Sequence, residues 1–284
     1  MIIRKQESTN YTNNTKTFPK IYFPNNYSDV KKIISTKKNF LFQGNGNSYG
    51  DTGSNNHLLV SMKNFKKIEY FIFDLDGVCY LQLSEVFGRV SKRMGEYISK
   101  KLNVNLTKAK EIQTAYFHEY NTTLNGLMLK HKIDPHEFLK YVHDIDISFL
   151  EKDKILREEL IKLKAKKYIF TNGSHDHVLN VTKHLGINDL FDGTFDITDS
   201  NFLPKPLIEP YEMLIKKFNI NPKKAIFIDD IAKNLEPAKK IGMKTAWLIN
   251  NEYWGKKDSD QNYIDLKIEN LSSFLKEINI LKTA

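Results

Sequence analysis

Three short apolar runs, Phe71-Ile72-Phe73, Tyr168-Ile169-Phe170 and Ile226-Phe227-Ile228, each stop abruptly at a polar cluster. That recurrence limits the fold more than any other feature. Runs without polar alternation are read as strands buried on both faces. The stretches between them carry helical periodicity. Helices are expected over 153–163 with Asp153 as cap, over 175–185 ended by Gly186, over 210–218, over 234–241 closed by Gly242, and over 271–278. A further strand is expected over 244–249. Alternation of this kind predicts an α/β fold, a Rossmann-like parallel sheet covered on both faces. Residues 83–150 interrupt it with helical periodicity and no convincing strand, which predicts an inserted helical cap.

In an open parallel sheet, ligands bind beyond the carboxyl ends of the strands, so the polar clusters should meet there. They read Asp74-Leu75-Asp76-Gly77-Val78, Thr171-Asn172-Gly173-Ser174 and Asp229-Asp230-Ile231-Ala232-Lys233-Asn234. A fourth, Leu203-Pro204-Lys205-Pro206, lies in the loop between the second and third. Taken singly, each is a common turn or helix cap. Taken in order, they suit phosphoryl transfer. Carboxylates at 74, 76, 229 and 230 repel one another without a cation, and ligands that are all oxygen favour Mg²⁺. One carboxylate can attack phosphorus and form an aspartyl-phosphate. A second, two residues on, can protonate the leaving oxygen and later deprotonate the hydrolytic water. A hydroxyl and an ammonium can stabilise the transferring oxygens.

These clusters resemble the four motifs of the haloacid dehalogenase superfamily, and the resemblance covers about residues 70–284. It implies Asp74 as nucleophile and metal ligand, and Asp76 as general acid/base that also gives its backbone carbonyl to the metal. It implies Thr171 and the Asn172 amide at the phosphoryl group, with Lys205 balancing charge. Asp230 would be the principal further metal ligand, Asp229 would act beside it, and Asn234 would lie near the metal's outer shell. Dehalogenases proper look different at the position of Asp76, so its presence favours a phosphatase or phosphomutase. Val78 stands where many members have threonine.

Within the insertion, Tyr116-Phe117-His118-Glu119-Tyr120, Leu124-Asn125-Gly126-Leu127 and Ile133-Asp134-Pro135-His136-Glu137-Phe138 are similar to the cap of the pyrimidine 5′-nucleotidase-like subfamily. The resemblance implies a nucleoside 5′-monophosphate or another small phosphorylated metabolite as substrate. His118, His175 and His177 are read as surface or packing histidines. A phosphonate-cleaving enzyme is a rival, but nothing marks the cap lysine it would need.

Residues 1–68 have a different texture and are read as a small α/β appendage to the hydrolase of 69–284. Residues 1–20 are polar and expected to be poorly ordered; a helix is expected over 28–35 and strands over 40–43 and 57–62. Phe42-Gln43-Gly44-Asn45-Gly46-Asn47-Ser48-Tyr49-Gly50-Asp51 and Val60-Ser61-Met62-Lys63-Asn64-Phe65 resemble the start of the FAD-binding domain of flavin-linked oxidases, and the resemblance then stops. The remainder of that domain is absent, so no FAD cofactor is expected. Two readings stand: a fused remnant, or an appendage that packs on the hydrolase or mediates a homodimer. The rival of another class is a flavin-binding or redox protein using the glycine-rich loop.

The net charge of +9 raises the question of nucleic acid. The excess is lysine, with only Arg4, Arg89, Arg93 and Arg157 as arginines, and the lysines are scattered rather than striped among aromatics. A solvated surface is expected, with no nucleic-acid polymer as partner. No apolar run approaches the ~20 residues of a membrane span, so no membrane partner is expected. The polar start suggests no signal peptide, and the one cysteine, Cys79, read as a buried filler, fits a reducing cytoplasm.

Overall fold

The computed structural model describes residues 67–80, 83–250 and 252–283, together with six short strands among residues 2–61. Those six are β1 (Ile2–Lys5), β2 (Ser8–Thr9), β3 (Lys16–Thr17), β4 (Lys20–Phe23), β5 (Phe40–Gln43) and β6 (Leu58–Ser61). Strands β4, β6 and β5 run parallel, β1 joins β4 antiparallel, and β2 pairs with β3. The strands expected over 40–43 and 57–62 are therefore present. Residues 2–5 and 20–23, expected to lack order at least up to residue 20, pair from Ile2↔Phe23 to Lys5↔Lys20. Short polar-flanked segments gain order from such pairing, which composition does not register. The helix expected over 28–35 and the glycine-rich loop over 44–50 lie outside the described residues.

The second sheet has strands β7 (Tyr70–Phe73), β8 (Lys166–Phe170), β9 (Gly193–Phe195), β10 (Ala225–Asp229), β11 (Lys244–Leu248) and β12 (Leu266–Ile268). Their order is β12-β11-β10-β7-β8-β9, all parallel. The chain builds outward from β7 through β8 to β9, then returns to β10 on β7's other side. The order of connection therefore reverses between β7 and β10, the crevice where parallel sheets bind ligands.

Both faces of this sheet are buried, as the apolar triplets demand. Phe71, Phe73, Ile226 and Ile228 join one core cluster, while Ile72, Phe170 and Phe227 join the other. The insertion forms four helices: α1 (Leu83–Leu102), α2 (Leu106–Tyr120), α3 (Thr123–His131) and α4 (Pro135–Val142). Asn105, Thr122 and Asp134 accept backbone N–H groups at the starts of α2, α3 and α4, which fixes tight corners. Tyr97 and Phe138 pack edge to face inside this helical insertion at 5.2 Å.

After the cap come α5 (Lys154–Lys162), α6 (His175–Leu185), α7 (Ile208–Phe218), α8 (Leu235–Lys240), α9 (Tyr253–Lys256) and α10 (Leu271–Thr283). Leu156, Val181 and Leu275 seat α5, α6 and α10 on the first face; Tyr211 and Leu235 seat α7 and α8 on the second. Among the described residues, no helix is long and apolar enough to cross a membrane.

Candidate active site

Asp74 directly follows β7, and its N–H donates to Ile228 O at 2.8 Å, so the hydrogen-bond ladder to β10 extends into the site. Gly77, directly after the acid/base candidate Asp76, takes φ +80°, a turn that a side chain would strain. Asp229 ends β10, and Asp230 follows it. Carboxylate oxygens of Asp74, Asp229 and Asp230 all lie within 4.8 Å of one another, and all three residues are buried.

Lys205 reaches this cluster from the loop after β9. Its Nζ lies 2.7 Å from Asp229 Oδ2, 3.0 Å from Asp74 Oδ1 and 3.1 Å from the carbonyl oxygen of Phe170. Asn172 holds the lysine's backbone: its Oδ1 accepts Lys205 N at 2.8 Å and its Nδ2 donates to Lys205 O at 3.3 Å. Two motifs far apart in sequence are thereby locked together. Asn234 Nδ2 donates to both Asp229 oxygens at 3.1 Å, and Ile231 N donates to Oδ1 at 2.8 Å. Both Asp229 oxygens thus accept donors from the protein. Asp230 takes one donor on its carboxylate, Asn250 Nδ2 at 2.7 Å, while Trp247 Nε1 fixes its backbone carbonyl at 2.8 Å.

The electrostatics follow from that crowding. Burial pushes the Asp74 carboxyl up to about 7; Lys205 opposes this, while the charges on Asp229 and Asp76 add to it. Burial likewise holds Asp230 well above its ordinary range, reinforced by Asp229 and Asp74. A single ammonium neutralises only one of these carboxylates. An all-oxygen cluster with uncompensated charge fits a hard divalent cation such as Mg²⁺, and Asp74, Asp229 and Asp230 are the side chains that would hold it.

Asp76 sits apart from this cluster in its bonding. Its Oδ1 accepts Tyr80 Oη and His177 Nε2, the latter at 2.8 Å. Burial would raise its carboxyl, but the charge and hydrogen bond of His177, with the Tyr80 hydroxyl, bring it to about 2. His177 moves the opposite way: burial works against its charge, and Asp76 outweighs that and raises it. His177 is therefore a buried partner of the acid/base candidate, which corrects its reading as a surface or packing residue. His118 and His175 are exposed, as expected.

Thr171 follows β8, and its Oγ1 accepts Gly173 N at 2.9 Å. A Cβ on Gly173 would stand 3.3 Å from Thr171 Oγ1 and 3.7 Å from Asp76 Oδ2, so these groups share one small space. The loop leads into the start of α6, the end of a helix that favours anions. Sequence reasoning overlooked Tyr80, His143 and Asn250. Asn250 was detectable by the rule already used, since it follows the apolar strand β11 as the other polar clusters follow theirs.

This sheet, switch point and carboxylate–lysine cluster define a hydrolase scaffold of one particular kind. The chain belongs to the haloacid dehalogenase-like hydrolase family, whose pattern matches residues 68–242. It is 31% identical over 191 residues to Phosphate metabolism protein 8 of Saccharomyces cerevisiae, a match spanning 61% of this chain and 59% of that protein's length. It is 25% identical over 232 residues to Glyceraldehyde 3-phosphate phosphatase of Methanocaldococcus jannaschii, covering 76% of this chain and 99% of that one. Among solved structures, a HAD phosphatase from Thermococcus onnurineus shares the fold, with a TM-score of 0.53 and 20% identity over 74% of this chain and 98% of that chain.

Proposed function

We propose that the protein is a Mg²⁺-dependent phosphomonoester hydrolase acting through a phosphorylated Asp74, with a nucleoside 5′-monophosphate as the preferred substrate class among small phosphorylated metabolites. One observation carries the reading: a buried carboxylate, Asp74, is held by Lys205 while a second acid, Asp76, is held separately two residues on. Mg²⁺ bound among Asp74, Asp229 and Asp230, with the Asp76 backbone carbonyl, would shield the phosphate charge from the attacking carboxylate.

The protein's own groups do the rest. Asp74 attacks phosphorus, and the bond to the leaving oxygen breaks as Asp76, ionised in the free protein and protonated by the arriving phosphate monoanion, delivers that proton to it. Asp76 then takes a proton from the water that hydrolyses the acyl phosphate, which regenerates Asp74. Thr171, the Asn172 amide and Lys205 hold the phosphoryl oxygens. The cap over residues 83–150 closes on the leaving group and excludes water. Both relatives named above carry names from phosphate chemistry, which supports the reaction class. The cap motifs around Tyr116, Gly126 and Asp134 support the nucleotide. A cytoplasmic location accords with the single buried thiol.

The test is release of phosphate from 4-nitrophenyl phosphate, then from a panel of nucleotides and sugar phosphates, all with Mg²⁺. Asp74→Asn is expected to abolish turnover in a protein that stays folded. Turnover that survives this substitution excludes the mechanism.

A further inference from the structure

Asp76 has two oxygens with different surroundings. Oδ1 is held by Tyr80 Oη and by His177 Nε2 at 2.8 Å. Oδ2 lies on the side of Gly173 and Thr171, the loop that would receive the phosphoryl group. The Asp76 side chain keeps 28% of its exposure while His177 keeps 3%, so the acid is reachable and its partner is not. His177 thus resembles a fixed bracket behind a working group.

The bracket is itself held by the cap. His143 caps the end of α4, where its N–H donates to Leu139 O. Its ring stacks on His177 at 4.4 Å between centroids and 18° between planes. Its Nδ1 lies 2.8 Å from Ser174 Oγ, and that same oxygen accepts His177 N at 3.3 Å. Ser174 can satisfy both by accepting from His177 and donating to His143. Beyond the ring pair is a cavity of about 320 Å³ lined by His143, Ile145, His177, Asn180 and Lys183, among others.

We propose that His177 is a positioning residue for Asp76, and that the cap sets its position through the ring of His143. With the cap seated, the stack and Ser174 fix His177, and Asp76 keeps Oδ2 turned to the leaving oxygen. With the cap displaced, His143 leaves with α4, and Asp76 loses one of its two restraints. Proton delivery is then tied to closure, so a half-closed complex does not spend the phosphoryl group unproductively. The inference rests on the reading of Asp74 and Asp76 given above.

The experiment compares a good leaving group, 4-nitrophenyl phosphate, with a poor one, a simple alkyl phosphate, in the full-length protein with Mg²⁺. A misplaced acid matters most where the leaving oxygen most needs a proton, and positioned acids contribute roughly 10²–10⁴-fold. His177→Ala is expected to raise the ratio of aryl to alkyl turnover at least about tenfold, through kcat rather than KM. His177→Gln, which retains a donor, is expected to recover part of it. His143→Ala should change the ratio in the same direction by less, and His143→Phe, which preserves the stack, by less again. Circular dichroism melts establish that each variant is folded. An unchanged ratio in folded His177 variants, or His143→Ala and His143→Phe behaving alike, overturns the inference while leaving Asp74-dependent hydrolysis intact. Wild-type protein without Asp74-dependent hydrolysis overturns both.

Discussion

Lys205 and Asp229 form an ion pair of 2.7 Å in which neither side chain exceeds 1% of its exposure. The lysine is thereby anchored before substrate arrives, with Asp74 as its second carboxylate. Breaking a buried pair leaves a charge without compensation, at a cost of about 3–5 kcal/mol. Lys205→Met is therefore expected to destabilise the metal-free protein by that order, in addition to abolishing turnover. Urea unfolding in EDTA measures it; a loss below about 1 kcal/mol would show that the pair is dispensable to the fold.

The carboxylate cluster makes a prediction in which pH and metal are linked. In the metal-free fold Asp74 titrates at about 7, against an ordinary value of 3.8. A carboxyl raised by folding holds its proton longer folded than unfolded, so stability is lost as pH climbs between those two values. Asp76, held at about 2 against an ordinary 3.8, contributes stability that rises with pH up to about 5 and adds no slope above it. Mg²⁺ favours the ionised cluster, so the increase in melting temperature on adding it should be small at about pH 5 and large at about pH 8. An increase that does not depend on pH would contradict the burial argument.

Gly126 is where α3 touches α2. A Cβ there would come within 2.5 Å of Tyr116 Cβ, closer than real Cβ atoms approach. Gly126→Ala must push the two helices apart, and overpacking of this kind costs about 1–3 kcal/mol. The cap should loosen while the sheet holds, detectable as faster proteolysis confined to residues 83–150. Uniform resistance along the chain would count against it.

Cys79 donates its thiol to Asp74 O at 3.5 Å and is buried. Burial, with the charges of Asp74 and Asp76, pushes the thiol far above its ordinary range, so thiolate is scarce. A maleimide reagent should leave the native protein unlabelled and label it fully in denaturant. Rapid native labelling would mean that the segment after β7 opens readily.

Much of the hydrolase core was legible because its signals are local. The three triplets became β7, β8 and β10, and Asp153 and Gly186 cap their helices as expected. Helix α7 begins two residues earlier than expected and α10 runs to Thr283, ends that composition defines poorly. The edge strands β9 and β12 were not foreseen. Each has three residues, and Gly193-Thr194-Phe195 carries no apolar run; neighbouring strands create them. At the site, residue types pointed to Asp74, Thr171, Lys205 and Asp230. Sequence could not pair His177 with Asp76 across 101 positions, nor His143 with His177, because no periodicity links a cap helix to the core.

The cap enters after Tyr80 and leaves before Asp153, and the strands on either side of it, β7 and β8, are neighbours in the sheet. An insert bounded by adjacent strands can be exchanged without altering the sheet's register. Selection could therefore replace this one segment while the strands and the carboxylates at their ends keep their places.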